Sequence, residues 1–185
     1  DMDVSGLDCL DTGASTGGFT DCLLQRGATH VISLDVAYGQ IDDGMRNHGQ
    51  VTVIERLNAR DLLPADLDYR PALAVIDVSF ISLEKVLDAV RNVMAEDGVV
   101  LAMVKPQFEL GRKRVGRGGA VRSPDDRLEA VVTVADFARS LGFSLLAVAP
   151  TGLPGPKGNL ETFLKLGVGA GGAENGAALC EGVDI

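Results

Sequence analysis

Residues Asp11 to Phe19 read D-T-G-A-S-T-G-G-F. They follow the apolar stretch Leu7, Cys9, Leu10 and precede T-D-C-L-L-Q-R at 20–26, an amphipathic helix start. An apolar strand, a glycine-rich turn and a helix, in that order, form the layout of a nucleotide-type cofactor site. Gly13, Gly17 and Gly18 lack a β-carbon, so the turn can be tight and a ligand can lie against its backbone. Asp35 closes the next apolar strand, H-V-I-S-L at 30–34. A carboxylate roughly 20 residues past the first glycine suits the hydroxyls of an adenosine ribose.

The glycine spacing discriminates between cofactors. A dinucleotide fingerprint is G-x-G-x-x-G, whereas this turn is G-x-x-x-G-G and offers no clear pyrophosphate cradle. Asp11 and Asp21 flank it. Two carboxylates would repel a pyrophosphate and tolerate a sulfonium. S-adenosylmethionine is therefore expected rather than NAD. Its expected contacts are Asp11, Gly13, Ala14, Ser15, Gly17, Gly18, Phe19, Asp35, Asn58 and Asp77, with Asn58, just past the strand at 51–54, meeting the adenine.

The rest of the chain alternates in the same way. Strands are expected at 7–12, 30–35, 51–54, 72–77, 98–105, 143–149 and 160–166, and helices at 17–26, 40–47, 83–95 and 124–141. A short turn near Asp61 to Leu63 stands before Pro64. Val-rich strands separated by helices predict an α/β fold with a mostly parallel sheet covered on both faces, in which ligands bind beyond the carboxyl ends of the strands. At 185 residues the chain has room for one such core. From Gly167 the text loses periodicity and reads as a flexible tail.

Charge and composition narrow the function classes. The net charge of −9 argues at first against a nucleic-acid partner. Its distribution matters more. Residues 1–104 carry −10, residues 105–122 carry +5 and residues 123–185 carry −4. The basic segment holds Arg112, Lys113, Arg114 and Arg117 among glycines and directly follows a strand, where α/β proteins place substrate loops. Three cysteines without zinc or disulfide spacing fit a reducing, cytoplasmic setting, with Cys9 and Cys22 expected in or near the core. Two histidines give no metal set, and no apolar run is long enough to span a membrane.

Three strand ends bear chemistry. Asp77 ends A-L-A-V-I and opens D-V-S-F-I-S-L. Lys105 ends V-V-L-A-M-V and opens K-P-Q-F-E, and Glu161 follows the turn G-P-K-G-N. A lysine fixed at a strand end and followed by a stiff Pro106 is unlike the usual solvated lysine, and Asp77 and Glu161 could hold its amine.

With these stretches in view, the chain resembles the methyltransferase domain of the haemolysin A (TlyA) family, a branch of the FtsJ-like ribose methyltransferases. The resemblance spans residues 7 to about 166 and rests on five motifs in order: G-A-S-T-G-G-F-T-D at 13–21, E-R-L-N-A-R at 55–60, D-V-S-F-I-S-L at 77–83, V-K-P-Q-F-E at 104–109 and G-P-K-G-N-L-E at 155–161. It implies a seven-stranded Rossmann-like S-adenosylmethionine fold and 2′-O-methylation of ribosomal RNA. It also implies a Lys-Asp-Lys-Glu catalytic set whose last three members match Asp77, Lys105 and Glu161. The first lysine has no counterpart, because Lys85, Lys105, Lys113, Lys157 and Lys165 all lie downstream of the glycine motif. The family's small N-terminal RNA-binding domain is also missing. The expectation is thus a catalytic domain at 1–167 with a tail at 168–185, showing little transfer on its own. Arg112, Lys113, Arg114 and Arg117 are expected to contact RNA phosphates. A cofactor-binding ribosome-assembly module without turnover is the alternative.

Overall fold

The short Val-, Ile- and Leu-rich runs form strands because each is bounded by turn residues and is too short for a buried helix. The computed structural model describes residues 2–111, 114–116, 118–155 and 157–169. Seven strands, β1 (Asp8–Thr12), β2 (His30–Asp35), β3 (Val51–Glu55), β4 (Leu73–Ile76), β5 (Val99–Val104), β6 (Phe143–Pro150) and β7 (Thr162–Val168), make one sheet in the order β3-β2-β1-β4-β5-β7-β6. The first five are parallel, and β7 runs antiparallel to both β5 and β6.

Alternation along the central strands feeds two cores. In β4, Ala74 and Ile76 join the larger cluster, and Leu73 and Val75 join the smaller. In β1, Leu10 faces the larger and Cys9 the smaller. The smaller core is covered by α1 (Gly18–Gln25) through Leu23. The larger is covered by α3 (Leu87–Val93) and by α5 (Pro124–Ser140). The four-residue helices α2 (Asp43–Arg46) and α4 (Pro106–Glu109) lie at strand ends. α5 carries its own start and stop signals. Ser123 caps it by accepting from Asp126 N–H, Pro124 takes the first turn, and Gly142 follows at φ +88°.

Several expectations need adjusting. Cys22 is exposed, because α1 buries Thr20 and Leu23 and turns Cys22, between them, outward. The helix expected at 83–95 is divided. Ser82 caps a 3-10 turn at Leu83–Lys85, and α3 starts only at Leu87. α4 was not anticipated: Pro106, read as a stiffener, is the first residue of a helix, a position that needs no N–H. The tail expected at 168–185 lies almost wholly outside the described residues.

Strand order reverses between β1 and β4. The carboxyl ends there open a crevice, the place where doubly wound sheets bind ligands.

Candidate active site

The glycine turn is built around its neighbours. Gly13 and Ala14 both donate N–H to the Leu34 carbonyl, at 2.8 and 3.1 Å. Gly13 has φ +85°, and a β-carbon there would lie 2.6 Å from the Asp77 carbonyl oxygen. Gly17 has φ +99° and rests on Met45 and Ile41. Gly18 has open space on its β-carbon side. Two of the three glycines are thus required by backbone conformation, and Gly13 also by the close approach of the β4 end.

Asp11 lies beneath this turn and is fully buried. It accepts from Thr20 Oγ1 at 2.7 Å, and Thr20 is bonded to Ser33 Oγ at 2.6 Å. Burial pushes its carboxyl up to about 6, opposed by the Thr20 hydrogen bonds and helped by the negative charges of Asp77 and Asp35. A carboxyl raised in the folded state contributes stability that is complete below its unfolded value near 3.8 and lost as the pH climbs to about 6. Asp11→Asn is therefore expected to melt above wild type at pH 7, by roughly 3 kcal/mol if the whole shift is realised, and to converge with it near pH 4. Thermal melts across pH 4–8 check this; equal gaps at pH 4 and pH 7 would contradict it.

The crevice is a cavity of about 1020 Å³, at the upper end of the range for small-molecule sites. Of the residues expected to hold the cofactor, Gly13, Ser15, Asp35, Asn58 and Asp77 line it, whereas Asp11, Ala14, Gly17, Gly18 and Phe19 do not. Phe19 instead packs edge-on against Phe163, with ring centroids 6.1 Å apart. Asp35 accepts from Ser15 N–H through Oδ2 and from Ala37 N–H through Oδ1, each at 2.8 Å. It thereby ties the glycine turn to the end of β2. Asn58 caps a 3-10 turn by accepting from Arg60 N–H at 3.2 Å. That bond uses Oδ1 and not the side-chain nitrogen.

Lys105 Nζ lies 2.6 Å from Asp77 Oδ1 and 3.0 Å from Ser79 Oγ, with its side chain only 11% exposed. The held amine expected at the end of β5 is present, with Asp77 and Ser79 as its partners. Glu161 accepts from Gln107 Nε2 at 3.2 Å and does not pair with Lys105 directly. Asp77, Ser79 and Gln107 all line the cavity. Ser79 and Gln107 were not singled out, although each stands two residues beyond a residue that was.

Phe80 was also passed over. It is a non-glycine residue at φ +64° and is 91% exposed on the cavity wall, with its ring centroid 5.1 Å from that of Phe108. A bulky residue held in that conformation and left in solvent is uncommon.

Of the basic segment, Arg112, Lys113 and Arg117 lie outside the described residues. Arg114 is paired with Glu129 at 2.5 Å and stands 3.6 Å from Asp126, both on α5. The end of that segment is fastened by buried Asn159, which accepts from Val121 N–H and donates to the Gly119 carbonyl.

Known proteins agree with this geometry. A 16S/23S rRNA (cytidine-2′-O)-methyltransferase TlyA of Mycobacterium tuberculosis is 49% identical over 163 residues, which cover 88% of this chain and 61% of that protein. Hemolysin A of Brachyspira hyodysenteriae is 38% identical over 86% of this chain and 67% of its own length. The crystal structure of a hemolysin candidate from Lactococcus lactis superposes with a TM-score of 0.90 at 37% identity, covering 97% of this chain and 88% of that one. A Mesorhizobium loti S-adenosylmethionine-dependent methyltransferase shares the fold, at a TM-score of 0.61 and 13% identity over 90% of this chain and 93% of that one. The chain spans about three fifths of the length of the Mycobacterium relative. With the family profile matched across residues 2–168, a seven-stranded Rossmann-like sheet and the five motifs in place, this chain belongs to the FtsJ-like methyltransferases.

Proposed function

We propose that the chain transfers a methyl group from S-adenosylmethionine to a ribose 2′-hydroxyl of ribosomal RNA. The observation that carries this reading is Lys105, held by Asp77 and Ser79, two residues that line the same cavity as Gly13, Ser15, Asp35 and Asn58. The residues fit the cofactor. Asp35 suits its ribose hydroxyls, Asn58 its adenine, and Asp77 its positive end. The cavity is also large enough to admit a nucleotide beside it. When bound, the cofactor supplies an electrophilic methyl group on a sulfonium.

The protein's own contribution is positioning and charge. A ribose hydroxyl is barely ionised at neutral pH, so its lone pair must be aimed at close range. Alignment of this kind is worth on the order of 7–11 kcal/mol when ideal. Lys105 directs N–H donors at the 2′-oxygen. The hydroxyl proton would have to leave as the 2′-oxygen is methylated, and the Lys105–Asp77–Ser79 cluster is placed to take it. Glu161 steadies Gln107, which faces the same space. The exposed Phe80 ring gives an unstacked base a face to lie on, the usual device of proteins that read single-stranded RNA.

Transfer of labelled methyl from the cofactor to ribosomal subunits or free rRNA tests the reading, with the chain alone and with the protein at its relatives' full length. Cofactor binding without label in RNA from either form would leave the assembly-module reading standing.

The basic segment supplies a second test. Replacing Arg112, Lys113, Arg114 and Arg117 with Ala should weaken RNA binding and flatten its salt dependence by up to about 3 in the log–log slope, or by about 2 if Arg114 stays with Glu129 and Asp126. Filter binding across 50–300 mM salt reads the slope; a slope equal to wild type would contradict the assignment.

A further inference from the structure

The loops after β4 and β5 are joined by more than the Lys105–Asp77 ion pair. Lys105 reaches Asp77 and Ser79, Phe108 packs against Phe80, and Glu109 accepts from Ser82 Oγ at 2.7 Å and from Leu83 N–H at 3.0 Å. As the numbering advances from 105 to 109 on one side, it advances from 77 to 83 on the other. Glu109 is the last contact of this run and accepts two hydrogen bonds from the loop after β4. Its carboxylate is largely buried, and no cation pairs with it among the described residues. Burial pushes its carboxyl above the usual range, opposed by the bonds from Leu83 and Ser82. An uncompensated carboxylate is costly to enclose, and here it meets two donors on the segment that carries Ser79 and Phe80.

The same segment holds the φ +64° of Phe80. Backbone in that region persists only where its surroundings over-determine it. Phe108 and Glu109, adjacent on α4, hold Phe80 and the residues just after it, Ser82 and Leu83.

We propose that Glu109 is a positioning residue. It pins residues 79–83 against α4 and so sets the Phe80 ring and the Ser79 hydroxyl over Lys105. The inference rests on the methyl-transfer reading above for its effect on turnover, and on the geometry alone for its effect on the loop.

The protein contains no tryptophan, so Phe80→Trp provides a single fluorescent reporter at the loop. In that background Glu109→Ala should enlarge the fast, nanosecond part of the anisotropy decay, and Glu109→Gln should not, because the amide keeps an acceptor for Leu83 and a donor for Ser82. With Phe80 restored, Glu109→Ala should lower kcat for methyl transfer by about 30-fold and change cofactor Kd by less than about threefold, while Glu109→Gln should recover kcat to within about threefold of wild type. If Glu109→Ala does not fold, Ser82→Ala removes one of the two bonds together with the cap on Glu84 N–H, and must loosen the reporter. An unchanged decay in Glu109→Ala, or in Ser82→Ala where that variant stands in for it, overturns the proposal. So does a Glu109→Gln protein as slow as Glu109→Ala. The anisotropy needs neither RNA nor turnover, so a parent protein inactive even at the relatives' full length would count against methyl transfer while the decay still decided the role of Glu109.

Discussion

Lys105→Ala is expected to lose methyl transfer by about 10³-fold or more while binding cofactor within about threefold of wild type. The loss follows from position. The amine is held at 2.6 Å by Asp77 and at 3.0 Å by Ser79, so it is not free to swing into solvent and another side chain does not readily replace it. Cofactor binding is spared because Gly13, Ser15, Asp35 and Asn58 line the cavity and Lys105 does not. Asp77→Ala should damage both, since its carboxylate holds Lys105 and lines the cavity in which the cofactor's positive end would lie. Lys105→Arg should not restore activity, because the guanidinium is wider than the ammonium and stays protonated. Parallel calorimetry with cofactor and transfer assays with RNA separate these effects. Equal losses of binding and transfer in Lys105→Ala would show that the lysine holds the cofactor site rather than the ribose.

Gly13→Ala should abolish measurable cofactor binding and destabilise the fold, whereas Gly18→Ala should change neither appreciably. At φ +85° a β-carbon costs about 1–2 kcal/mol from conformation alone. Its overlap with the Asp77 carbonyl at 2.6 Å forces β1 and β4 apart at the catalytic end. A total near 3 kcal/mol lowers the melting temperature by roughly 6–12 °C for a domain of this size. Gly18 has neither a positive φ nor a neighbour within 4 Å, so alanine there fits a helix start without strain. Melting curves and calorimetry on the two variants check the contrast. Normal binding by Gly13→Ala would mean that the turn is far more pliable than this geometry allows.

The strands were legible because each apolar run is short and nearly all are bounded by Gly, Pro or Asp, and because Asp35, Asp77 and Lys105 punctuate three of their ends. The glycine motif announced the turn but not the reason for Gly13, whose neighbour Asp77 is 64 residues away and meets it only through the strand order. Ser79, Gln107 and Glu109 escaped notice for the same cause. Serine, glutamine and glutamate in a loop carry no periodic signal, and their roles depend on the β4 and β5 loops standing side by side. Phe80 was hidden differently: its exposure and positive φ are properties of the backbone, and composition alone places a phenylalanine in the core. Asp11 shows the converse. It was readable as part of the motif, yet it lies enclosed beneath the turn with Thr20 and Ser33.

The central claim is that this site methylates a ribose oxygen, and the chemistry of the product tests it most directly. A 2′-O-methyl group blocks attack of that oxygen on the adjacent phosphate, so alkaline digestion leaves the modified position as an intact dinucleotide. Ribosomal subunits and free rRNA should be incubated with methyl-labelled S-adenosylmethionine and either wild-type protein or Lys105→Ala, each at the relatives' full length, and then digested in alkali. The label should appear in alkali-resistant dinucleotides with wild type and vanish with Lys105→Ala. Label released as mononucleotides would place the methyl group on a base, and label in dinucleotides with Lys105→Ala would remove the lysine from the chemistry.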